Sequence, residues 1–114
     1  MVIRIVREPI QRAELTALAA RQFGDFVKAV VDVERGVMAI GGELHADAEA
    51  LLLEDGSQQE HLWGINLYPE KSDGEWIEFN SMINVRPAQQ NPSRGVENLA
   101  IREKIQTVVA RLVS

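Results

Sequence analysis

The sequence predicts an α+β domain in two layers: an N-terminal strand and helix, an antiparallel β meander, and a C-terminal helix packed on one face of the sheet. Three observations predict it. Short β-branched segments are joined by turns too brief for parallel crossovers, so neighbouring strands pair antiparallel. One longer stretch near each end of the chain carries apolar residues at helical spacing and needs a sheet to cover. The 114 residues are 46% hydrophobic and 25% charged, the usual balance of a soluble globular protein. That is enough for one core, so residues 1–114 are expected to form a single domain.

Val2 to Val6 is rich in β-branched residues and reads as a strand. Pro9 opens a helix whose apolar positions are Ile10, Leu15, Leu18, Ala19 and Phe23, with Gly24 as its stop. Val27 to Val33 is a strand with Val27, Ala29, Val31 and Val33 on one face. Glu34-Arg35-Gly36 turns it into Val37 to Ile40, a hairpin that Gly41-Gly42 ends. Residues 43–54 admit two readings. Glu43, His45, Asp47 and Glu49 alternate with Leu44, Ala46, Ala48 and Ala50, which is a strand period followed by an Asp55-Gly56 hairpin turn. Ala, Glu and Leu are equally strong helix formers, with Leu44, Ala48, Leu51 and Leu52 as a stripe and Gly56 as the cap. The period favours the strand.

Leu62 to Tyr68 is a strand with Trp63, Ile65 and Leu67 on one face, and Pro69 with residues 71–74 forms a loop. Trp76 to Val85 reads as the longest strand. Ile77, Phe79, Ser81, Ile83 and Val85 take one face; Trp76, Glu78, Asn80, Met82 and Asn84 take the other. Pro87 to Gly95 is a polar loop, the longest candidate for mobility or function. Val96 to Val113 is an amphipathic helix carrying Leu99, Ile105, Val108, Val109 and Leu112. Both helices are expected on one face of the sheet, leaving the other open or used. Trp63 and Trp76 read as core or interface anchors, and Tyr68 with Trp76 flanks a loop where an apolar patch would suit a homodimer contact.

Charge and cysteine exclude several function classes. Twelve Lys and Arg against seventeen Asp and Glu give a formal net charge of -5, an acidic balance that argues against nucleic acid and anionic membranes as partners. The absence of cysteine excludes disulfide scaffolds, thiolate zinc sites and a Cys nucleophile. The apolar N-terminal run stops at Arg7 and Glu8, too short for a secretory signal, and no run can span a bilayer. The expected location is the cytoplasm.

Four stretches carry a resemblance: Gly41-Gly42-Glu43-Leu44-His45-Ala46-Asp47, Leu62-Trp63-Gly64-Ile65-Asn66-Leu67-Tyr68-Pro69, Ile83-Asn84-Val85-Arg86-Pro87 and Ser93-Arg94-Gly95-Val96. Together they resemble a family of short prokaryotic proteins of unknown function, from Ile3 to near the C-terminus. The resemblance implies a small stand-alone protein and no activity, cofactor or catalytic residue.

Two constellations are candidates for chemistry. On a strand, Glu43, His45, Asp47 and Glu49 share one face. Asn66 and Asn80, with Tyr68 and Glu78, would approach them from the following strands. Carboxylate oxygens and imidazole nitrogen are divalent-metal ligands, so His45, Asp47 and Glu49 are candidate metal ligands, with Glu43 or Glu49 as general base for hydrolysis. The simpler reading is a solvated face, since one side of such a sheet meets water. Like charges without a Lys among them favour something binding there. The second constellation is Asn84, Arg86 and Arg94, with Ser93. Arg suits bidentate capture of carboxylate or phosphate, and Arg94 precedes a helix start. Three functions follow: a non-catalytic binding or regulatory module, which asks for no unproven constellation; a metal-dependent hydrolase on residues 43–49; and, by fold analogy alone, a small RNase-like toxin with a cleft of Arg86, Arg94 and Arg102.

Overall fold

In the computed structural model, which describes residues 2–114, five strands form one antiparallel sheet. They are β1 (Arg4–Val6), β2 (Val27–Asp32), β3 (Val37–Ile40), β4 (Leu62–Leu67) and β5 (Ile77–Glu78), in the order β1-β3-β2-β4-β5. Three helices accompany them: α1 (Arg12–Arg21), α2 (His45–Glu54) and α3 (Leu99–Leu112). The α+β class stands, and the C-terminal helix packs on the sheet.

Alternation along the central strands holds as the sequence predicts. Val27, Ala29 and Val31 of β2 and Trp63, Ile65 and Leu67 of β4 pack against Leu15 and Ala19 of α1 and Ile105, Val108, Val109 and Leu112 of α3. Each fully buried Val, Leu or Ile among them contributes about 1.5–3 kcal/mol. The opposite face is not simply open. Val30, Val37, Ala39 and Leu62 are covered there by Ala48 and Leu52 of α2.

That cover is the main correction to the sequence reading, because residues 43–54 are a helix and not a strand. The buried positions are His45, Ala48 and Leu52, spaced three and four apart; the strand alternation was formal, since alanine fills three of its four apolar positions. The helix ends at Asp55 and Gly56, where Ser57 N donates to Leu52 O at 2.9 Å. As a helix, the segment carries the chain from β3 across the sheet to the far side of β2. The meander is therefore interrupted, and Val30 pairs with Gly64.

The predicted strand over 76–85 is also shorter. Only Ile77 and Glu78 pair with β4. Beyond them Ser81 Oγ accepts from Ile83 N at 3.2 Å and starts a 3-10 turn over Met82–Asn84. Ser and Asn side chains offer the backbone local partners that compete with a ladder. The polar loop after it is held by one buried residue. Asn91 donates to Asn84 O at 2.7 Å and Gly95 O at 2.8 Å, and accepts from Glu97 N at 2.9 Å.

Helix boundaries differ by a turn at each N-terminus. Ile10 lies in a bridge with Val113 and not in α1. α3 starts at Asn98, whose Oδ1 accepts from Ala100 N and Ile101 N, a cap of about 1 kcal/mol. Both tryptophans are core residues; Trp76 lies beneath the Arg12 guanidinium rather than in a surface patch with Tyr68. Among the described residues no helix is long and apolar enough to cross a membrane.

Candidate functional site

α2 covers only part of its face of the sheet. At the end of β2, β4 and β5 the register sets Lys28 opposite Asn66 and Asn66 opposite Glu78, a polar row across three strands. These residues share the face of Val30 and Leu62 because side chains repeat every two positions. His45, in the first turn of α2, overhangs the row, and its Nε2 lies 2.8 Å from Ile65 O. A carbonyl only accepts, so Nε2 carries the proton.

The row is wired by amides. Asn66 Nδ2 donates to Glu78 Oε1 at 2.8 Å and to Asn80 O at 3.4 Å. Tyr68 OH donates to the same Glu78 oxygen at 3.3 Å, and Arg94 Nε donates to Asn80 Oδ1 at 2.8 Å. Asn66 Oδ1 is buried and makes no hydrogen bond of good geometry among the described residues, although the amide lies close enough to His45 to act on its ring. An aromatic wall borders the row: Phe23 stacks on Phe26 at 4.8 Å, Phe26 meets Tyr68 at 5.3 Å, and Lys28 Nζ sits 5.1 Å from the Phe23 ring.

Burial is the largest influence on His45 and pushes its pKa below the usual imidazole range. The Ile65 carbonyl and the Asn66 amide support the charged ring, while Lys28 and Arg94 repel it. The ring is therefore neutral at neutral pH. Neither Lys28 nor Arg94 has a carboxylate within 4.0 Å among the described residues. The arrangement holds two cations, the Glu78 carboxylate, a neutral imidazole and a buried amide oxygen, all of them groups that can bind a polar ligand.

Of the residues singled out by sequence, His45, Asn66, Tyr68, Glu78, Asn80 and Arg94 are brought together here. Glu43, Asp47 and Glu49 are not. On a helix, positions two apart point to different sides, so His45 is buried while Asp47 is exposed near Ile3, Gly42 and Glu43. Glu49 turns toward Arg86, whose charge it favours. Among the described residues no three His, Asp or Glu side chains gather as a metal-binding group.

Asn84 and Arg86 serve the sheet edge. Where β5 stops, Asn84 Oδ1 accepts from Gly64 N at 2.8 Å and its Nδ2 donates to Gly64 O at 3.0 Å, replacing a strand partner. Arg86 lies 4.2 Å over Trp63 and donates to Leu62 O and Gln59 O. Arg94 turns to Asn80 and away from the start of α3, which Asn98 caps. Arg102 sits over Phe79, so the three arginines have separate partners. Sequence reasoning missed Lys28 as a site residue. Its signal was a lone cation in an apolar strand, opposite in phase to Val27, Ala29 and Val31.

The sequence profile of a family described as a protein of unknown function (DUF5674) matches residues 4–112. No curated protein and no solved structure matches the chain.

Proposed function

For a chain that belongs to this family of proteins of unknown function, we propose a non-catalytic binding module that holds a small carboxylate or phosphate anion on the shelf between α2 and β5. One observation carries this reading: Lys28 and Arg94, with no carboxylate within 4.0 Å among the described residues, flank the buried neutral His45. An anion seated between them gains two charge-assisted contacts. Arg94 is suited to it, because Nε is anchored on Asn80 and the two terminal nitrogens are left for the ligand. The anion also offsets the repulsion that Lys28 and Arg94 exert on His45, so binding raises the affinity of the ring for a proton.

Sulfate is the test anion, since its charge is constant over about pH 5 to 8 where His titrates. It is titrated into 15N-labelled protein, with acetate alongside. Saturable shifts are expected at Asn66, Glu78 and Asn80, weakened about tenfold or more in Lys28→Gln and Arg94→Gln, a loss of roughly 1.4 kcal/mol. Binding is expected to tighten as the pH falls. An absence of saturation, or equal affinity in both variants, overturns the reading.

A further inference from the structure

We infer a second ligand site on the opposite face of the sheet, in the groove between α3 and the segment from Pro69 to Phe79, for a small aromatic carboxylate. The cavity is about 600 Å³, within the usual range of roughly 300–1,000 Å³ for small-molecule pockets. Ile77, Phe79 and Ala110 supply apolar surface to it. Three charged groups line it, and two of them cancel. Arg12 lies 4.0 Å over Trp76, donates to Pro69 O and Lys71 O, and pairs with Asp73 at 2.7 Å. It organises the loop and has no fork left for a ligand.

Arg102 is the uncompensated charge. Its Nε donates to Val96 O and its guanidinium lies 4.7 Å from the centre of the Phe79 ring. Those two contacts set its plane. Nη1 and Nη2 have no hydrogen-bond partner, and no carboxylate lies within 4.0 Å, among the described residues. A guanidinium already fixed in orientation loses little freedom when it captures a carboxylate end-on. One positive charge beside apolar walls complements a monoanion with a flat hydrophobic body. Gln106, four residues on along α3, lines the same groove at an exposed position, so charge can be altered there without disturbing the core.

The inference does not depend on the shelf at Lys28 and Arg94. 2-Naphthoate is the probe, with 2-naphthylmethanol as its neutral counterpart, each titrated into the 15N-labelled protein. Naphthoate is expected to give saturable shifts at Ile77, Gln106 and Val109, with the alcohol about tenfold weaker or more. Arg102→Gln is expected to lose about tenfold, and Arg102→Lys, which keeps the charge without the fork, to lie between. Gln106→Glu adds a repelling charge on an exposed position and decides the matter if the Arg102 variants unfold. Equal binding of acid and alcohol overturns the proposal. So do unchanged affinity in Gln106→Glu, absent saturation, or shifts confined to Lys28, Asn66 and Glu78.

Discussion

Burial, more than any partner, sets the chemistry of His45, and it makes the residue a reporter of folding. Its folded pKa lies below the ordinary 6.5. As the pH falls through 6.5 the unfolded chain takes up a proton that the folded ring refuses. The unfolded state then binds more protons, so stability declines with falling pH from about 6.5 down to the lowered folded value and is level below it. Urea unfolding at stepped pH is expected to show this decline in the native protein and a flatter profile in His45→Gln. Identical profiles would mean that the ring is not held neutral by the fold. The polar character of His45 was legible in the sequence, but its burial was not. The strand period aimed it at solvent with Asp47, and only the helix turns it under Ile65 while leaving Asp47 outside.

At the scale of elements, the close approach of the Met82–Asn84 turn to β4 rests on a residue without a side chain. A Cβ on Gly64 would lie 2.5 Å from Ser81 Cβ and 2.6 Å from its Oγ. Ser81 is itself buried, so it has nowhere to move. The turn would have to lift, taking with it the Asn84 amide that pairs with Gly64. Gly64→Ala is expected to cost about 1–3 kcal/mol in denaturant unfolding, as overpacking does. Adding Ser81→Gly should recover part of that loss, because the two sites touch. An unchanged midpoint would show that the turn does not pack here. The two central strands were readable from local alternation alone. The region after Glu78 was not, since Asn80, Ser81 and Asn84 sit at strand-compatible positions and the side-chain bonds of Ser81 and Asn84 to backbone end the ladder.

Over the whole molecule, three distant segments meet at Asp55. Arg7, just after β1, donates to both its oxygens at 2.7 Å, and Arg35, in the turn between β2 and β3, donates to Oδ2 at 2.7 Å. Arg35 also donates to Ser57 Oγ, and Ser57 donates to the buried Asp32 that organises the same turn. Arg35, and then Arg7, hold the Asp55 carboxyl below its usual 3.8. The contribution of this pairing is complete above that value and is lost as the pH falls through the lower folded one. Asp55→Asn is expected to lower the melting temperature at neutral pH, by less at high salt, and to flatten the acid limb of the pH profile. A melting temperature independent of this change at any salt would sever the link between α2 and the hairpin.

Local pattern was sufficient for the α+β class, the phase of β2 and β4, the core tryptophans and the two amphipathic helices, because a period of two or of three to four residues is a property of the segment itself. Non-local contact was needed for everything that makes the shelf. Residues 43–54 satisfy both periods, and the choice between them depends on whether Ala48 and Leu52 find Val30 and Leu62 to cover. That choice routes the chain so that β4 joins β2, and this pairing sets Lys28 beside Asn66. The groups of the site are spread along the chain from Lys28 to Arg94. Their proximity follows from sheet order and helix docking, energies shared across the core and written in no single segment.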